Sequence, residues 1–597
     1  MNEQEVIATV LARHDHDGTR LMQILREVQE ELGWLAPQTL TAIARGIGWP
    51  RAKVEGTAAF YSFFHLRPRG KYCVLWSDNI TDRMLGNREL MQRLCEKLWL
   101  EPGRLSEDGL VFVNTTSCTG MCDQGPAVLV NYRAITRMTP ERVDQMAELI
   151  RNQTPLDQWP AEWFQVEDNI RRKDVLLDHN LVPGEALAAA LARGPEALIG
   201  EIKASGLRGR GGAGFATGLK WEYCRNAPGQ AHYVVCNADE GEPGTFKDRV
   251  LLTSYADLVF EGMTIAGYAV GARKGLMYLR GEYRYMKEAL ESVLARRRSE
   301  RLLGERILDR DFAFDIEIHF GAGAYVCGEE SALIESLEGK PGRPRIRPPF
   351  PVTCGYLDQP TAVNNVETLA ASCLVAARGG AWYKRLGTEK SSGTKLLSVS
   401  GDVERPGIYE YPFGVTVRQV LEEAGAKHCV QGVQVSGPSG VTLAVDELDR
   451  RICFEDIPTA GAFMVFDCTR DMFEVARNFA HFFAHESCGF CTPCRVGTQV
   501  VARLMDKLAT NHGSPYDIDE LFKMHRLMQG ASHCGLGNSA CNPVFDTLTK
   551  FRPAYEKRLK SLDYEPAFDL DAALSQARQM TGRDDAGAHL HNEEIAP

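Results

Sequence analysis

The sequence lacks long hydrophobic runs, an excess of basic residues and internal repeats. An apolar run at 263–272 covers ten residues, about half of the ~20 needed to cross a bilayer. The formal net charge is −11, whereas nucleic-acid-binding domains carry a basic surface. The first residues show no basic segment followed by an apolar one, so no secretory signal is predicted. We therefore expect a cytoplasmic protein with no membrane insertion and no nucleic-acid partner.

Length and cysteine content narrow the class of protein. At 597 residues the chain is long enough for about four domains. Its 44% hydrophobic and 25% charged residues are ordinary for a globular protein. Seventeen cysteines, an odd number in a large chain, indicate free thiols in a reducing compartment rather than a disulfide framework.

A group of cysteines near the carboxyl end has the spacing of an iron–sulfur site. Cys488, Cys491 and Cys494 follow a C-x2-C-x2-C pattern, and Cys534 lies in a separate glycine-containing segment. Three thiols on one tight turn can bind three corners of a [4Fe–4S] cube, and a fourth can close the site. Structural zinc usually takes two separated pairs. The spacing therefore favours the cube, with zinc or unligated buried thiols as alternatives.

A glycine-rich loop at 206–221 indicates a phosphate-bearing cofactor. Glycines let backbone N–H groups approach a phosphate, and Arg208, Arg210 and Lys220 add positive charge. The ordinary dinucleotide fingerprint follows a strand, but residues 197–204 are predicted to be helical, so this loop differs from that fingerprint. A turn without a ligand is the alternative.

An acidic segment follows a predicted strand that begins at Tyr233. It contains Asn237, Asp239, Glu240 and Glu242. Asn and Asp can hydrogen-bond a flavin edge or ribose hydroxyls, and Glu can oppose a 2′-phosphate and so favour NAD over NADP. A solvated acidic loop is the alternative.

Two further pieces can complete a site for one flat cofactor. Residues 321–330 combine glycines, an aromatic ring and a carboxylate pair at a strand-to-helix junction. Residues 347–351 and 363–368 add prolines, Phe350 and paired asparagines. Each piece alone fits a turn or a helix cap, but together they can wrap one cofactor.

These segments, taken in order, resemble a known family. Residues 170–562 resemble the flavin-bearing, NADH-oxidising subunit of respiratory complex I, and residues 1–150 resemble the small thioredoxin-like subunit that accompanies it. A fusion of the two is similar to the diaphorase subunit of cytoplasmic NAD-reducing [NiFe] hydrogenases. The segments that carry the resemblance are 208–215, 237–249, 321–330, 486–494 with Cys534, 60–64 and 118–126.

The resemblance implies an activity and partners. The chain would exchange a hydride with NAD(H) through FMN and single electrons with a [4Fe–4S] cluster, and so couple H2 oxidation to NAD⁺ reduction. A small iron–sulfur subunit would link it to the [NiFe] hydrogenase subunits. The alternatives are the NADH-handling subunit of an NAD-dependent formate dehydrogenase or of respiratory complex I. Outside the enzymes, the alternative is an assembly protein that has lost its flavin.

The implied fold is a multidomain α/β protein. It combines N-terminal helices, a thioredoxin-like domain, a Rossmann-like FMN/NADH domain, a ubiquitin-like β-grasp insert and a C-terminal helical bundle with the cluster. The expected boundaries are helices at 1–66, a thioredoxin-like domain at 67–150, a connector at 151–169, the FMN/NAD(H) domain at 170–395, the ubiquitin-like domain at 396–470, the cluster domain at 471–562 and an extension without an assigned role at 563–597.

The resemblance also implies site residues. Phe215 and Glu242 would position the nicotinamide, Glu330 would lie near the adenosine ribose and disfavour NADPH, and no side chain is expected to act as a general acid or base. The cluster ligands would be Cys488, Cys491, Cys494 and Cys534. The cofactor-binding residues would be Gly209, Gly212, Phe215, Lys220, Asn237, Asp239, Glu240, Glu242, Tyr325, Gly328, Glu329, Glu330, Phe350, Asn364 and Asn365.

The first domain departs from its family in its cysteines. The small subunit holds a [2Fe–2S] cluster with four cysteines, of which Cys118 and Cys122 are kept here. Ser77 and Asp82 fall at the other two positions, and these residue types are poor iron–sulfur ligands. We therefore expect no [2Fe–2S] cluster and a scaffolding role for this domain.

Overall fold

A computed structural model describes residues 2–426, 429–560 and 570–584 of the chain. The expected extension at 563–597 lies partly outside these residues, and the last dozen residues, for which disorder is expected, lie wholly outside them. None of the described helices is long and apolar enough to span a membrane.

The chain begins with four helices that pack through their apolar faces. Asn2 caps the first helix by accepting a hydrogen bond from the Glu5 N–H, while the Glu5 side chain accepts one from the Asn2 N–H. This exchange satisfies donors that the first helical turn leaves free. The helices are α1 (Glu3–Arg13), α2 (Leu21–Leu32), α3 (Pro37–Gly46) and α4 (Arg51–Phe60).

A small four-stranded sheet follows. Its strand order is β2-β1-β3-β4, with β1 and β2 parallel and the other pairs antiparallel. Alternate β1 side chains enter different cores: Val74 and Trp76 pack with the two long helices of this region, and Leu75 joins the main core. The elements are β1 (Tyr72–Ser77), α5 (Ile80–Met84), α6 (Asn87–Leu98), β2 (Val111–Thr116), β3 (Val128–Val130), β4 (Arg133–Ile135) and α7 (Pro140–Arg151).

The central region is a parallel sheet covered by helices. Its strand order is β8-β7-β6-β9. The chain passes from β6 to β7 and β8 on one side and then returns to add β9 on the other. The elements are β5 (Ile170–Arg172), α8 (Glu185–Arg193), α9 (Pro195–Ala204), α10 (Thr217–Asn226), β6 (Tyr233–Ala238), α11 (Lys247–Ser254), α12 (Ala256–Val270), β7 (Lys274–Leu279), α13 (Lys287–Ser299), β8 (Asp315–Phe320), α14 (Glu330–Leu337), β9 (Thr361–Asn365), α15 (Val366–Arg378) and α16 (Gly380–Lys384).

A mixed six-stranded sheet comes next, with the order β13-β12-β14-β10-β11-β5. The apolar face of its single α-helix packs against the sheet through Val417, Val420 and Leu421. Strand β5 pairs with β11, although the sequence assigned it to the start of the FMN domain. The further elements are β10 (Thr394–Gly401), β11 (Gly407–Pro412), α17 (Val417–Ala424), β12 (Val430–Val435), β13 (Val441–Ala444) and β14 (Ala462–Asp467).

Helices complete the chain. Phe473 and Phe483 of the first one are buried in the main core. The helices are α18 (Met472–Glu486), α19 (Thr492–Ala509), α20 (Pro515–Ala531), α21 (Gly535–Ser539), α22 (Asn542–Lys550), α23 (Arg552–Glu556) and α24 (Leu570–Thr581).

Two buried arginines join the first sheet to the central one. Arg249 pairs with Asp123 at 2.9 Å, and both side chains are fully buried. Arg280 donates to the carbonyl oxygens of Cys118, at 2.6 Å, and of Glu240, at 2.5 Å. A buried cation is held in place only when it is well paired, so these contacts fix the Cys118 loop against the acidic segment.

Candidate functional site

A cavity of about 560 Å³ opens at the carboxyl ends of β6 and β9. Asn237 and Asn365 are paired neighbours on these two strands and both line the cavity. The order of strands reverses between β6 and β9, and such a switch point is where open parallel sheets bind ligands. The volume is in the range of small-molecule and cofactor sites.

Most of the residues predicted to bind cofactor line this cavity. They are Gly212, Asn237, Asp239, Glu240, Glu242, Tyr325, Gly328, Glu329 and Asn365. The predicted residues that do not line it are Gly209, Phe215, Lys220, Glu330, Phe350 and Asn364. Among these, Phe215 and Phe350 are about half exposed, at 49% and 51%, so their ring faces are available outside the cavity.

The glycine loop is closed by backbone bonds and held from behind by its arginines. The Gly209 N–H donates to the Phe215 carbonyl at 2.9 Å, and Gly212 has φ +116, a conformation that favours glycine. Arg210 is buried and donates to Tyr383 Oη at 3.0 Å, while Arg208 lies over the Phe454 ring. The two arginines therefore do not supply free charge to a phosphate, because each is committed to the loop's own structure.

Lys247 is a site residue that the sequence reasoning missed. It lines the cavity at 1% exposure and bonds to Asp248 at 2.6 Å and to Asn365 Oδ1 at 3.2 Å. Burial lowers the pKa of Lys247, but Asp248 and Glu367 outweigh it and raise that pKa overall. The signal was a lysine inside the acidic segment, at the start of a helix. Its burial also depends on Glu367, a carboxylate from a distant part of the chain, and this pairing could not be read from sequence.

Glu242 accepts two hydrogen bonds at the cavity wall. Its oxygens accept from Tyr325 Oη at 2.5 Å and from the Ser439 N–H at 2.8 Å. Burial raises the pKa of Glu242 to about 7, although both bonds lower it. This carboxyl therefore changes charge near neutral pH.

The two neighbouring carboxylates at 329–330 have different partners. Glu329 accepts from the Ser331 and Ala332 N–H groups and so caps α14, and it pairs with Arg347 at 3.1 Å. Glu330 points elsewhere and pairs with Lys220 at 2.7 Å. Lys220 is thus bound to a carboxylate instead of lining the cavity at the ends of β6 and β9.

Two distant segments complete the cavity wall. The mixed sheet contributes Ser436 and Ser439, and the helical region contributes Leu536 and Asn542. Asn542 donates to the Ser439 carbonyl at 3.3 Å and so joins these segments. The sequence assigned no chemistry to the insert, since its contribution depends on how it folds against the central sheet.

The lining fits FMN. Gly211 lets the glycine loop approach Asn365 closely, because a Cβ there would lie 3.3 Å from the Asn365 Cβ. Asp239 Oδ2 is buried and has no hydrogen-bond partner among the residues that the structure describes. A buried polar atom without a partner is costly, so a bound polar group would satisfy it.

The four predicted cluster ligands line one small cavity. Cys491 caps α19, and Cys494 lies in its first turn. Gly489, with φ +76, makes the turn between Cys488 and Cys491. Burial raises the pKa of Cys494 to about 11, and iron binding would offset this because metals bind the thiolate. The lining residues are Cys488, Cys491, Cys494, Cys534, Phe490, His533, Pro344 and Leu536, a donor set that fits a [4Fe–4S] cluster.

Leu536 lines both the cavity at the strand ends, called the flavin cavity below, and the small cavity lined by the four cysteines, called the thiol cavity below. Residues near Leu536 line one cavity each: Cys534 lines the thiol cavity, and Gly535 and Ser539 line the flavin cavity. The two sites are therefore separated by about one side chain.

A second group of cysteines lies in the first sheet region. The Cys118 and Cys122 sulfurs are 3.5 Å apart and buried. Asn79 donates to the Cys122 sulfur at 3.1 Å. The hydrogen bond from Cys122 lowers the pKa of Cys118, and the same bond raises that of Cys122. Asp82 interacts with both thiols and accepts from Ser77 Oγ at 2.6 Å.

Four family models match the chain. Residues 202–373 match the Nuo51 FMN-binding domain and residues 474–558 match the NADH-ubiquinone oxidoreductase-F iron-sulfur binding region. Residues 396–428 match the SLBB domain, and residues 7–151 match the thioredoxin-like [2Fe-2S] ferredoxin. These matches confirm the expected multidomain α/β fold class.

A comparison of whole chains decides between the fused and the separate subunits. Over 584 residues the chain is 42% identical to the NAD-reducing hydrogenase HoxS subunit alpha of Cupriavidus necator, with 95% of this chain and 97% of that protein covered. The chain belongs to the family of NAD-reducing hydrogenase alpha subunits. An NADH-quinone oxidoreductase subunit of Streptomyces coelicolor is 40% identical, but the match covers 68% of this chain and 92% of that protein.

A solved structure supports the same family. A chain in the crystal structure of an NAD⁺-reducing [NiFe]-hydrogenase in the H2-reduced state is 45% identical, with a TM-score of 0.88 over 96% of this chain and 99% of that one. The expectation of a diaphorase subunit with FMN and [4Fe–4S] domains, in a multisubunit NAD-reducing [NiFe] hydrogenase, is confirmed.

The expectation that the first domain carries no [2Fe–2S] cluster is wrong. Residues 7–151 of this hydrogenase-family chain match the thioredoxin-like [2Fe-2S] ferredoxin family. The error came from counting thiols in the sequence. The structure keeps Cys118 and Cys122 together as a buried pair, and Asp82, which accepts a hydrogen bond from Ser77, lies near both thiols.

Proposed function

We propose that the chain exchanges a hydride with NAD(H) at the flavin cavity and passes the electrons singly through the thiol cavity to partner subunits. The observation that carries this proposal is Leu536, which lines both cavities. When bound, FMN supplies hydride transfer and the cluster supplies one-electron transfer. The protein orients these groups and keeps them close together.

The FMN would be held by the residues at the strand ends and the glycine loop. Asn237 donates to the Gly328 carbonyl at 2.8 Å, which fixes the rim of the cavity. Lys247 and Asn365 bond to each other and present charge and an amide at its base. The proposed FMN contacts that line the cavity are Gly212, Asn237, Asp239, Glu240, Tyr325, Gly328, Glu329 and Asn365, to which we add Lys247. Gly209, Lys220 and Asn364 stay proposed contacts, although they do not line the cavity.

NAD(H) would approach from the open side. The exposed rings of Phe215 and Phe350 are suited to stacking on its bases. Glu330 would disfavour a 2′-phosphate through like-charge repulsion, with Lys220 holding its position at 2.7 Å. These roles support NAD(H) rather than NADP(H) as the substrate.

The electron partner would dock over the thiol cavity. Phe490 and Val496 flank the cluster ligands and are 45% and 49% exposed. Exposed apolar side chains beside a redox centre are suited to a protein contact. We propose that a small iron–sulfur subunit binds here and links the chain to the [NiFe] hydrogenase subunits, in the cytoplasm.

The test of the proposed nicotinamide site is Glu242→Gln in the assembled hydrogenase. Below pH 7 the Glu242 carboxyl is protonated, and above it the carboxylate is the stronger acceptor for the carboxamide of the nicotinamide. The wild-type KM for NADH is therefore expected to fall as pH rises through about 7. In the variant, KM is expected to be about tenfold higher at pH 8 and independent of pH, with unchanged flavin content.

The matched control is Glu222→Gln, because Glu222 pairs with Lys203 at 2.9 Å outside the cavity. Its KM is expected to follow the wild type. An unchanged KM in Glu242→Gln would remove Glu242 from the nicotinamide site.

A further inference from the structure

A second cavity, of about 250 Å³, lies behind the flavin cavity. Asp239, Gly241 and Tyr325 line both cavities and so form the wall between them. Several parts of the chain bound the second cavity: the segment after the N-terminal helices, strands β1 and β2, the acidic segment, the segment after β7 with Arg280 and Glu282, residues 323–325 and the end of α18. The second cavity therefore lies between several regions of the chain and is not a surface groove on a single region.

The second cavity contains buried polar atoms that need partners. His65 Nδ1 and Arg69 Nε, whose residues line this cavity, have no hydrogen-bond partner among the described residues. Since a buried polar group is normally bonded to protein or water, these atoms indicate water inside. The volume is ample, because one water needs about 10–15 Å³. The cavity reaches the surface at Ser62, Thr115 and His485, which are exposed.

The proposed reaction requires such a path. A hydride is one proton with two electrons, and the thiol cavity takes electrons only. For every hydride taken from NADH, one proton must therefore leave the flavin cavity, and one must return when NAD⁺ is reduced. During transfer the nucleotide itself occupies the open side of that cavity, so a route on the opposite side is needed.

We infer that Asp239 carries this proton from the flavin cavity into the water-filled second cavity, and that the second cavity leads it to solvent. This inference rests on the proposed function and adds a role for a cavity that hydride transfer itself does not use. The route runs from Asp239 Oδ2, past Arg280 and Glu282, to the exposed rim at Ser62 and Thr115.

The electrostatics of Asp239 agree with a proton carrier. Burial raises the pKa of Asp239 well above its usual range, while Arg280 opposes this. Burial therefore favours the protonated form of this carboxyl, whose proton can pass to water in the second cavity. The other charged or titratable groups that face Asp239 or the second cavity are Glu282, Glu486, Tyr278, Tyr325, Cys327, His65, Arg69 and His485.

The experiment blocks the route with Asn114→Phe in the complete hydrogenase. Asn114 lines the second cavity and not the flavin cavity. NADH oxidation by ferricyanide releases one proton per NADH, and a pH-indicator dye in weak buffer follows its release in stopped flow. We expect proton release and kcat to fall at least about tenfold and a solvent deuterium isotope effect to appear, with KM for NADH and flavin content unchanged.

Asn114→Ala is the matched control, since it removes the amide without filling the space, and its rates are expected to follow the wild type. A folded Asn114→Phe enzyme with wild-type kcat and no isotope effect would overturn the inference. Wild-type hydrogenase that fails to oxidise NADH would instead refute the proposed function itself.

Asp239→Asn gives an independent answer if the blocked enzyme does not fold. Normalised to bound flavin, its proton release is expected to slow by a similar factor and to recover with imidazole, a small base that can enter the second cavity. Wild-type proton release in this variant, or slow release that imidazole does not change, would overturn the role of Asp239.

Discussion

The two cysteine sites of the chain differ in how their sulfurs are supported. At the thiol cavity, four cysteines line one small space, and Ser487 Oγ bonds to one of them, Cys494, at 3.2 Å. At the first-domain site, the sulfurs of Cys118 and Cys122 bond to each other, with Asn79 donating to Cys122. The first arrangement is ready for four iron corners, and the second offers two sulfurs with oxygen atoms beside them.

The two sites also differ in how they can be recognised: one from the local spacing of its cysteines, the other from the fold of its domain. Three of the four ligands at the thiol cavity lie within seven residues, so spacing alone reveals them. The first-domain site is recognised through its whole domain, over residues 7–151. A missing cysteine is therefore weak evidence against a cluster when the surrounding fold is intact.

The largest effect is expected from Cys534→Ala, which breaks the thiol cavity. With one of four ligands gone, the [4Fe–4S] signal should disappear, and H2-dependent NAD⁺ reduction should fall by at least about a hundredfold. Iron content, electron paramagnetic resonance and activity of the assembled hydrogenase measure this. The control is Cys541→Ala, whose buried sulfur lies 3.5 Å from Met528; loss of iron in the control would show that the ligand set is wrong.

A smaller effect is expected from Cys118→Ala at the first-domain site. The [2Fe–2S] signal should be lost, while the [4Fe–4S] signal remains and NADH:ferricyanide activity changes by less than about tenfold. Cys73→Ala is the control, because Cys73 is a buried β1 thiol outside the site. If Cys118→Ala also removed the [4Fe–4S] signal, the two sites would not be independent.

The comparison can be sharpened by Asp82→Cys, which adds a third sulfur. Burial raises the pKa of Asp82 to about 8, so the carboxyl is largely neutral at pH 7 and a poor ligand. A thiol there is expected to slow the loss of [2Fe–2S] iron to a chelator by about tenfold. Asp82→Asn keeps the side-chain shape without sulfur and should not slow it; equal rates in both variants would exclude position 82 from the ligand set.

The flavin cavity shows how far the sequence could predict a site. Asn237, Asp239 and Glu242 lie in one short segment after a strand, so their position at the strand end was predictable. Lys247 lay in the same segment, but its pairing with Glu367 could not be foreseen. Ser439 and Leu536 reach the cavity from regions whose packing no local pattern specifies.

The arginines of the glycine loop show a sequence-based prediction that the structure does not support. Their charge predicted phosphate contacts, yet Arg210 is 1% exposed and bonded to Tyr383. A charged residue in a loop has several possible partners, and burial decides among them. Likewise, residue 170 was predicted to begin the FMN/NAD(H) domain, whereas the strand that starts there, β5, pairs with β11 of the mixed sheet.

The smallest effect is expected where the two cysteine sites meet. Ser117, next to Cys118, donates to Glu486 Oε1 at 2.5 Å, and Glu486 lies shortly before Cys488 in the chain. Ser117→Ala removes this bond and leaves a buried carboxylate oxygen with one partner fewer, so the thermal midpoint should fall by about 1–2 °C with both cluster signals retained.

Ser117→Thr keeps the hydroxyl and should restore the midpoint. An unchanged midpoint in Ser117→Ala would mean that the hydrogen bond between Ser117 and Glu486 contributes nothing to stability. A loss as large as that of Cys118→Ala would instead mean that the hydroxyl supports the cluster directly. The expected result is a small fall in the midpoint with both cluster signals retained. It would show that the two redox sites are in structural contact but bind their metals independently.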